Sequence, residues 1–190
     1  LVLCDTGALK SLPHDFLVDG MGEVVKYGMI KSDELFGILM NHDINTVHEV
    51  MDDIIARCVA IKRDVVEADE FDKGERMLLN FGHTLGHSIE QYYHYTGISH
   101  GRAVAKGMEI ITDLAEKRGM CRKGLTADLC GCLKKYELTR DIGPTPAQLG
   151  SACMNDKKRD GSSIHVIICS DIGKSSAVKM SVADFNDFLA

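Results

Sequence analysis

The sequence lacks any apolar run that approaches the roughly 20 residues needed to cross a bilayer. It also lacks an excess of positive charge, since 22 Lys and Arg stand against 28 Asp and Glu and give a net charge of −6. This balance argues against a general binder of nucleic acid or of anionic membranes, although a local basic pocket for a small anion is compatible with it. The remaining composition, 45% hydrophobic and 26% charged, is ordinary for a soluble globular protein.

The seven cysteines form no recognisable disulfide framework, because their number is odd and their spacing is irregular. We see no signal peptide either, so we expect reduced thiols in a cytoplasmic protein. Cys130 and Cys132 are the only close pair, and a structural role is favoured over a metal or redox role.

The chain opens on Leu-Val-Leu-Cys-Asp without an initiator Met, like a strand already in progress. We therefore expect a piece of a longer protein. No internal repeat, low-complexity segment or linker interrupts the 190 residues, which favours a single domain.

Apolar residues at steps of three and four predict helices along most of the chain. A glycine-rich helix is expected first, with Ser32 as the N-cap of the helix that follows it. The predicted helices cover 15–30, 33–40, 45–67, 76–90, 103–118, 126–136, 146–154 and 182–190, with strands at 1–5, 164–169 and 176–180. The sequence thus predicts a mainly α, multi-helical fold with a small β element near its C-terminus.

Residues 76–90 read Arg-Met-Leu-Leu-Asn-Phe-Gly-His-Thr-Leu-Gly-His-Ser-Ile-Glu. In a helix, Arg76, Asn80, His83 and His87 fall on one side, because their spacing is 4, 3 and 4. Two histidines one turn apart, with a third histidine following, suit a three-ligand metal site. A solvated helical face with a chance pair of histidines explains the same spacing equally well.

Glu23 and Lys26 are neighbours, three residues apart, in an otherwise apolar and glycine-rich helix. An exposed ion pair is one interpretation, but the flanking valines and methionines favour a buried polar site. Glu23 could join His83 and His100 in a set of two histidines and one glutamate. Zinc accepts this set while leaving a coordination position open.

Basic and amide side chains elsewhere could bind a phosphate or a carboxylate. The candidates are Lys62, Arg76, Asn80, Lys157 and Lys158. Each of them alone is usually a surface residue, so the argument rests on the collection. His87 is placed to exchange protons with a bound substrate, and a core histidine bonded to the backbone is the alternative.

Taken together, these residues resemble the 3-dehydroquinate synthase family. Residues 20–28 (Gly-Met-Gly-Glu-Val-Val-Lys-Tyr-Gly) resemble its segment G-x-A-E-V-[IV]-K-Y-G, and residues 76–90 match its signature R-x-x-L-N-F-G-H-T-x-G-H-[AS]-I-E closely. Residues 100–108 are similar to H-G-E-A-V-x-x-G-M, and residues 61–70 and 154–161 also fit. The resemblance follows the family's order along nearly the whole chain.

The resemblance implies the multi-helical C-terminal domain of the dehydroquinate synthase-like fold. It also implies a carbon–oxygen lyase of the shikimate pathway and aromatic amino acid biosynthesis. This family cyclises a seven-carbon keto-sugar acid phosphate (DAHP) to 3-dehydroquinate with loss of phosphate. It uses NAD as a transient oxidant and a divalent metal, usually zinc and in some cases cobalt. A homodimer is implied for the full-length enzyme.

Roles for individual residues follow from the same resemblance. Metal ligands would be Glu23, His83 and His100. Substrate would be held by Lys26, Lys62, Arg76, Asn80, His87 and one of Lys157 or Lys158. The segment Ala8, Leu9, Lys10 and Ser11 would contact NAD, within a hinge remnant at 1–15 of an otherwise single domain, 1–190. The family's N-terminal NAD-binding domain is absent from this chain, so we expect the chain alone to be inactive.

Four positions depart from the family pattern and concern local packing and cofactor contacts. Gly22 replaces an alanine, Arg102 a glutamate, and Lys106 a small or apolar residue, and Phe16 stands near a position that is often acidic. Other functions stay open. A sister sugar-phosphate cyclase, of the 2-deoxy-scyllo-inosose or aminodehydroquinate synthase type, would keep the same metal ligands. A non-catalytic helical metal-binding domain would place Glu23 away from the histidines. A metal-dependent phosphohydrolase ranks last, because the chain lacks a carboxylate-rich second metal site.

Overall fold

Helices make up most of the computed structural model, which describes residues 4–69, 74–157 and 163–190, without the side chains of residues 152 and 154–157. The α-helices in these ranges are α1 His14–Lys31, α2 Asp33–Asn41, α3 Met51–Ala68, α4 His83–Tyr92, α5 His100–Lys117, α6 Leu125–Lys135, α7 Pro146–Lys157 and α8 Val182–Leu189. Short 3₁₀ helices cover Thr6–Ser11, Val47–Glu49 and Glu75–Asn80. Strands β1 Ile164–Asp171 and β2 Lys174–Met180 form an antiparallel pair. The predicted mainly α fold with a small C-terminal β element is confirmed.

Helices α1, α4 and α5 pack together around the centre of the core. Their facing side chains are apolar and fully buried, among them Val25 and Met29 of α1, Leu85 and Ile89 of α4, and Met108 of α5. Apolar residues four positions apart, such as Val25 and Met29 or Leu85 and Ile89, lie on the same side of a helix. Burial of this apolar side of each helix supplies the driving force for packing. Among the helices that the structure describes, none has both the length and the apolar character that crossing a membrane requires.

Helices α1 and α5 approach so closely that their contact requires glycine. A Cβ on Gly22 would lie 2.6 Å from the carbonyl oxygen of Gly101, and a Cβ on Gly101 would overlap the carbonyl oxygen of Asp19. The glycines of the predicted glycine-rich helix therefore permit a close helix crossing. This crossing brings the middle of α1 against the first turn of α5.

The β-hairpin is attached to the C-terminal end of α1. The backbone N–H of Gly173, in the turn between the strands, donates to the carbonyl of Met29, and the Ser175 hydroxyl donates to the carbonyl of Ile30. These bonds use the orphan carbonyls at the end of a helix, which otherwise need other partners. The small sheet thus covers one end of the helical core.

The prediction of one continuous helix over 76–90 is wrong, because two helical segments cover this range. The 3₁₀ helix ends at Asn80, Gly82 adopts a left-handed conformation with φ of 78°, and α4 starts at His83. A Cβ on Gly82 would lie 2.6 Å from the carbonyl oxygen of Val104, so close packing against α5 also demands glycine here. Arg76 and Asn80 therefore do not share a helical face with the two histidines.

Two other boundaries differ from prediction. The helix predicted to begin at residue 45 starts as a separate 3₁₀ turn, and α3 begins only at Met51. The helix predicted from residue 103 begins earlier, at His100. Of the strand predicted at 1–5, residues 1–3 lie outside the described part of the chain, and Asp5 caps the first 3₁₀ helix by accepting from the Gly7 N–H.

Candidate metal centre

Three side chains from three helices converge at the crossing of α1, α4 and α5. Glu23 lies in the middle of α1, whereas His83 and His100 are the first residues of α4 and α5. The Oε1 atom of Glu23 is 3.4 Å from Nε2 of His83 and 3.7 Å from Nε2 of His100. The three ligand atoms all lie within 4.8 Å of one another. The residues that the sequence suggested as a metal set are thus brought together.

Both histidines of this group direct Nε2 toward Glu23 while Nδ1 has another partner. Nδ1 of His83 is 3.1 Å from the carbonyl oxygen of Phe81, and Nδ1 of His100 is 3.1 Å from Oε1 of Glu90. Oxygen atoms at these positions accept a hydrogen bond from Nδ1–H, which assigns the lone pair to Nε2 in each ring. Two Nε2 lone pairs and a carboxylate oxygen therefore face one point.

The carboxylate of Glu23 fits a bound cation. Its Oε1 atom is buried and has no hydrogen-bond partner among the described residues, whereas Oε2 accepts a 2.5 Å hydrogen bond from Nζ of Lys26. A buried carboxylate oxygen without a donor is costly unless a cation compensates it. In a tetrahedral zinc site with bonds of about 2.1 Å, ligand atoms lie about 3.4 Å apart. The measured separations are close to that value.

The electrostatics keep the donors ready for a metal. Burial and the positive charge of Lys26 lower the pKa of His83, although its bond to the Phe81 carbonyl opposes this effect. A neutral imidazole is the form that binds metal. Burial also lowers the pKa of Lys26, whose side chain is only 3% exposed, against the opposing effect of Glu23.

His87 lies beside the three converging residues and is exposed to solvent. Its ring centroid is 5.5 Å from that of His83 and 6.2 Å from that of His100. The three imidazoles thus form one cluster, but only two of them approach Glu23 as closely as a shared metal requires. The assignment of His87 to proton exchange stays a prediction.

The predicted anion-binding residues lie in several elements. Lys62 of α3 is close enough to Lys26 that its charge contributes to lowering the Lys26 pKa. Lys62 and Asn80 are exposed, and Arg76 is partly exposed. The side chain of Lys157 and the whole of Lys158 lie outside the described residues. Among the predicted anion-binding residues, Lys62 is therefore near Lys26.

The predicted NAD-contacting segment, residues 8–11, lies in the first 3₁₀ helix, and only Leu9 in it is partly covered. Two of the family departures lie in ion pairs outside the converging group. Arg102 lies 3.5 Å from Asp15, and Lys106 pairs with Glu109 at 2.8 Å.

Two residues near the centre carried no assigned role in the sequence. Asp19 lies one turn before Glu23, and its Oδ1 accepts a 2.6 Å hydrogen bond from the Gly101 N–H at the start of α5. Glu90 ends the signature 76–90 and bonds His100. The spacing of four between Asp19 and Glu23, and of seven between His83 and Glu90, could have placed each on the same helical face as a ligand.

The helical arrangement is that of the dehydroquinate synthase-like cyclases. One solved structure, 2-epi-5-epi-valiolone synthase from Streptomyces hygroscopicus subsp. jinggangensis 5008 with NAD⁺ and Zn²⁺ bound, is 24% identical and has a TM-score of 0.83 over 97% of this chain and 53% of its own. A 2-deoxy-scyllo-inosose synthase complexed with carbaglucose-6-phosphate, NAD⁺ and Co²⁺ is 22% identical, with a TM-score of 0.79 over 97% of this chain and 54% of its own.

The family model described as 3-dehydroquinate synthase C-terminal matches residues 20–159, and the chain belongs to this family. The 3-dehydroquinate synthase of Clostridium perfringens strain 13 is 44% identical over 187 residues, covering 97% of this chain and 53% of that protein. The corresponding protein of Streptococcus thermophilus strain CNRZ 1066 is 40% identical over 192 residues, covering 99% and 54%. The chain thus spans about half the length of the curated relatives that it matches.

Proposed function

We propose that this chain is the metal- and substrate-binding half of a 3-dehydroquinate synthase. With an NAD-binding half, it would cyclise DAHP to 3-dehydroquinate with loss of phosphate, as a lyase of the shikimate pathway. The observation that carries the proposal is the convergence of Glu23, His83 and His100 in a chain of this family. The relatives at 40–44% identity share the family name, which supports this substrate over those of the more distant cyclases.

Glu23, His83 and His100 would hold a divalent metal, zinc or cobalt, as in the solved cyclases with bound Zn²⁺ or Co²⁺. When bound, such a metal polarises a substrate oxygen and lowers the pKa of a hydroxyl. The orphaned Oε1 of Glu23 and the two imidazoles supply a donor set that leaves a position open for substrate.

Lys26 and Lys62 would bind the negative groups of the substrate. Burial lowers the pKa of Lys26, and the nearby charge of Lys62 adds a smaller effect in the same direction. A carboxylate or phosphate placed near the two lysines removes the repulsion between their charges. Further contacts with the substrate would come from Arg76, Asn80 and one of Lys157 or Lys158.

His87 would exchange protons with the bound substrate. Its ring centroid lies 5.5 Å from that of His83, and its exposure keeps the ring accessible; both observations support this role. Imidazole is a side chain that can both donate and accept a proton near neutral pH.

The NAD-binding half would dock through the hinge remnant at 1–15, whose residues Ala8, Leu9, Lys10 and Ser11 would contact NAD. The full-length protein would be a cytoplasmic homodimer. Since the solved cyclases carry NAD⁺ and the chain spans half of their length, the isolated chain is expected to be inactive.

A chimera tests this proposal. The N-terminal half of the Clostridium perfringens relative is joined to this chain, and phosphate release from DAHP is measured with NAD and zinc. Turnover by the chimera but not by the isolated chain is expected, with the intact C. perfringens enzyme as the control for the assay. Turnover by the isolated chain would overturn the need for the second half.

The same chimera separates the alternatives. Glucose 6-phosphate is offered in place of DAHP, and its turnover in preference to DAHP would identify a sister cyclase such as a 2-deoxy-scyllo-inosose synthase. Tight zinc binding without turnover of either substrate would identify a non-catalytic metal-binding domain.

A further inference from the structure

Glu90 makes a contact that the ligand set alone does not explain. Its side chain is 14% exposed, and its Oε1 lies 3.1 Å from Nδ1 of His100, whose own side chain is 42% exposed. Glu90 lies on α4, seven residues after His83, so both project from the same side of that helix. A single rigid helix thus carries one candidate ligand and a carboxylate that reaches another.

We infer that Glu90 is a positioning residue, which holds His100 in the tautomer and ring orientation that metal binding needs; this inference rests on the proposed metal centre. A carboxylate that accepts a hydrogen bond from Nδ1–H keeps the lone pair on Nε2, the atom that faces Glu23, and makes the imidazole a stronger metal ligand.

His100 needs such a restraint more than His83 does. The His83 ring is held by the carbonyl of Phe81, two residues away in its own chain, and its side chain is only 15% exposed. His100 is the most exposed of the three candidate ligands and stands at the first position of α5. Without Glu90, its ring would be free to rotate into solvent.

A second arrangement of the same atoms competes with this inference. His87, Glu90 and His100 also have ligand atoms within 4.8 Å of one another and could hold a second cation. That arrangement would require His100 to use Nδ1 for one cation while Nε2 serves the other, which needs a fully deprotonated imidazole. The hydrogen-bond distance between Glu90 and Nδ1 instead favours a protonated Nδ1 and one metal.

The test compares Glu90→Ala and Glu90→Gln in the 190-residue chain, with zinc affinity measured by chelator competition. Loss of the carboxylate is expected to weaken zinc binding by about 10–100-fold. Glu90→Gln keeps an oxygen that accepts from Nδ1 and should lose less affinity than Glu90→Ala. Glu109→Ala, which removes a partly exposed carboxylate paired with Lys106, is the matched control and should change nothing.

The visible absorption spectrum of the cobalt-substituted chain gives a second readout, because it reports ligand geometry. It should change in Glu90→Ala and stay close to wild type in Glu90→Gln. Unchanged zinc affinity and an unchanged cobalt spectrum in Glu90→Ala would overturn the inference. So would two cations bound by wild type and one by both Glu90 variants, since that result makes Glu90 a ligand. Absence of zinc binding by wild type would instead overturn the proposed metal centre itself.

Discussion

The side chain of Asp19 on α1 accepts a 2.6 Å hydrogen bond from the backbone N–H of Gly101 on α5. This bond satisfies one of the orphan N–H groups at the start of a helix, and the acidic group complements the positive end of the helix dipole. Because Asp19 lies one turn before Glu23 and Gly101 follows His100, the same contact fixes the distance between two candidate ligands. Helix capping and metal-site geometry are therefore linked.

Gly101→Ala should disrupt both properties. The new Cβ would overlap the carbonyl oxygen of Asp19, so α5 must move away from α1. We expect a loss of about 1–3 kcal/mol in the free energy of unfolding, measured by urea denaturation, together with weaker zinc binding. Gly20→Ala is the control, since a Cβ at Gly20 meets nothing within 4 Å and should leave stability equal or raised by up to about 1 kcal/mol. Equal stabilities of the two variants would contradict the close crossing.

Most helices could be predicted from sequence, because each buries an apolar stripe whose period is local information. The grouping of Glu23, His83 and His100 could also be predicted, first from the residue types and then from the family resemblance. The contacts of Asp19 and Glu90 could not, since they depend on how closely helices distant in sequence cross.

The interruption between the 3₁₀ helix and α4 at Gly82 could not be predicted from sequence for a related reason. A glycine inside a helical pattern is compatible with an uninterrupted helix, and only the packing of Gly82 against Val104 of α5 makes the left-handed conformation necessary. The local spacing of apolar residues thus predicts which helices exist. The interruption of a helix at the candidate metal centre is decided by tertiary packing.

A pH-dependent contribution to stability is expected from Glu116, which anchors the start of α6. Bonding to Thr126 and to the Gly124 N–H lowers its pKa from an ordinary 4.5 to about 2. The unfolded chain therefore binds more protons between these values, and the contribution is present above pH 4.5 and lost as the pH falls toward 2. Glu116→Gln should be less stable than wild type at pH 7, with a difference that shrinks on acidification. A difference in urea midpoint that is independent of pH would contradict this.

Lys26→Met should separate substrate binding from metal binding. The ammonium is buried against Glu23, so its removal leaves a carboxylate oxygen without its donor and should cost about 1–3 kcal/mol of stability. Zinc should bind at least as tightly, because a positive charge next to the metal position is gone. In the chimera with the NAD-binding half, turnover of DAHP should fall sharply.

Lys31→Met removes a partly exposed lysine of the same helix, which pairs with Glu75 at 3.1 Å, and serves as the matched control. It should leave zinc affinity and turnover unchanged. A large loss of zinc affinity in Lys26→Met would show that this lysine supports the ligands and does not act on substrate.

The two histidines one turn apart on α4 are expected to have different roles. Nε2 of His83 lies 3.4 Å from Glu23, whereas the exposed His87 ring stands beside the group at 5.5 Å from the His83 ring. His83→Gln should therefore lose zinc affinity by more than the roughly 100-fold that marks the loss of a supporting residue. His87→Gln should keep zinc affinity and the cobalt spectrum, yet lose about 10²–10⁴-fold in turnover of the chimera, the usual range for a proton-transfer group. If His87→Gln released zinc as readily as His83→Gln, the histidine pair would be a ligand pair, and the proton carrier would have to be sought among other residues.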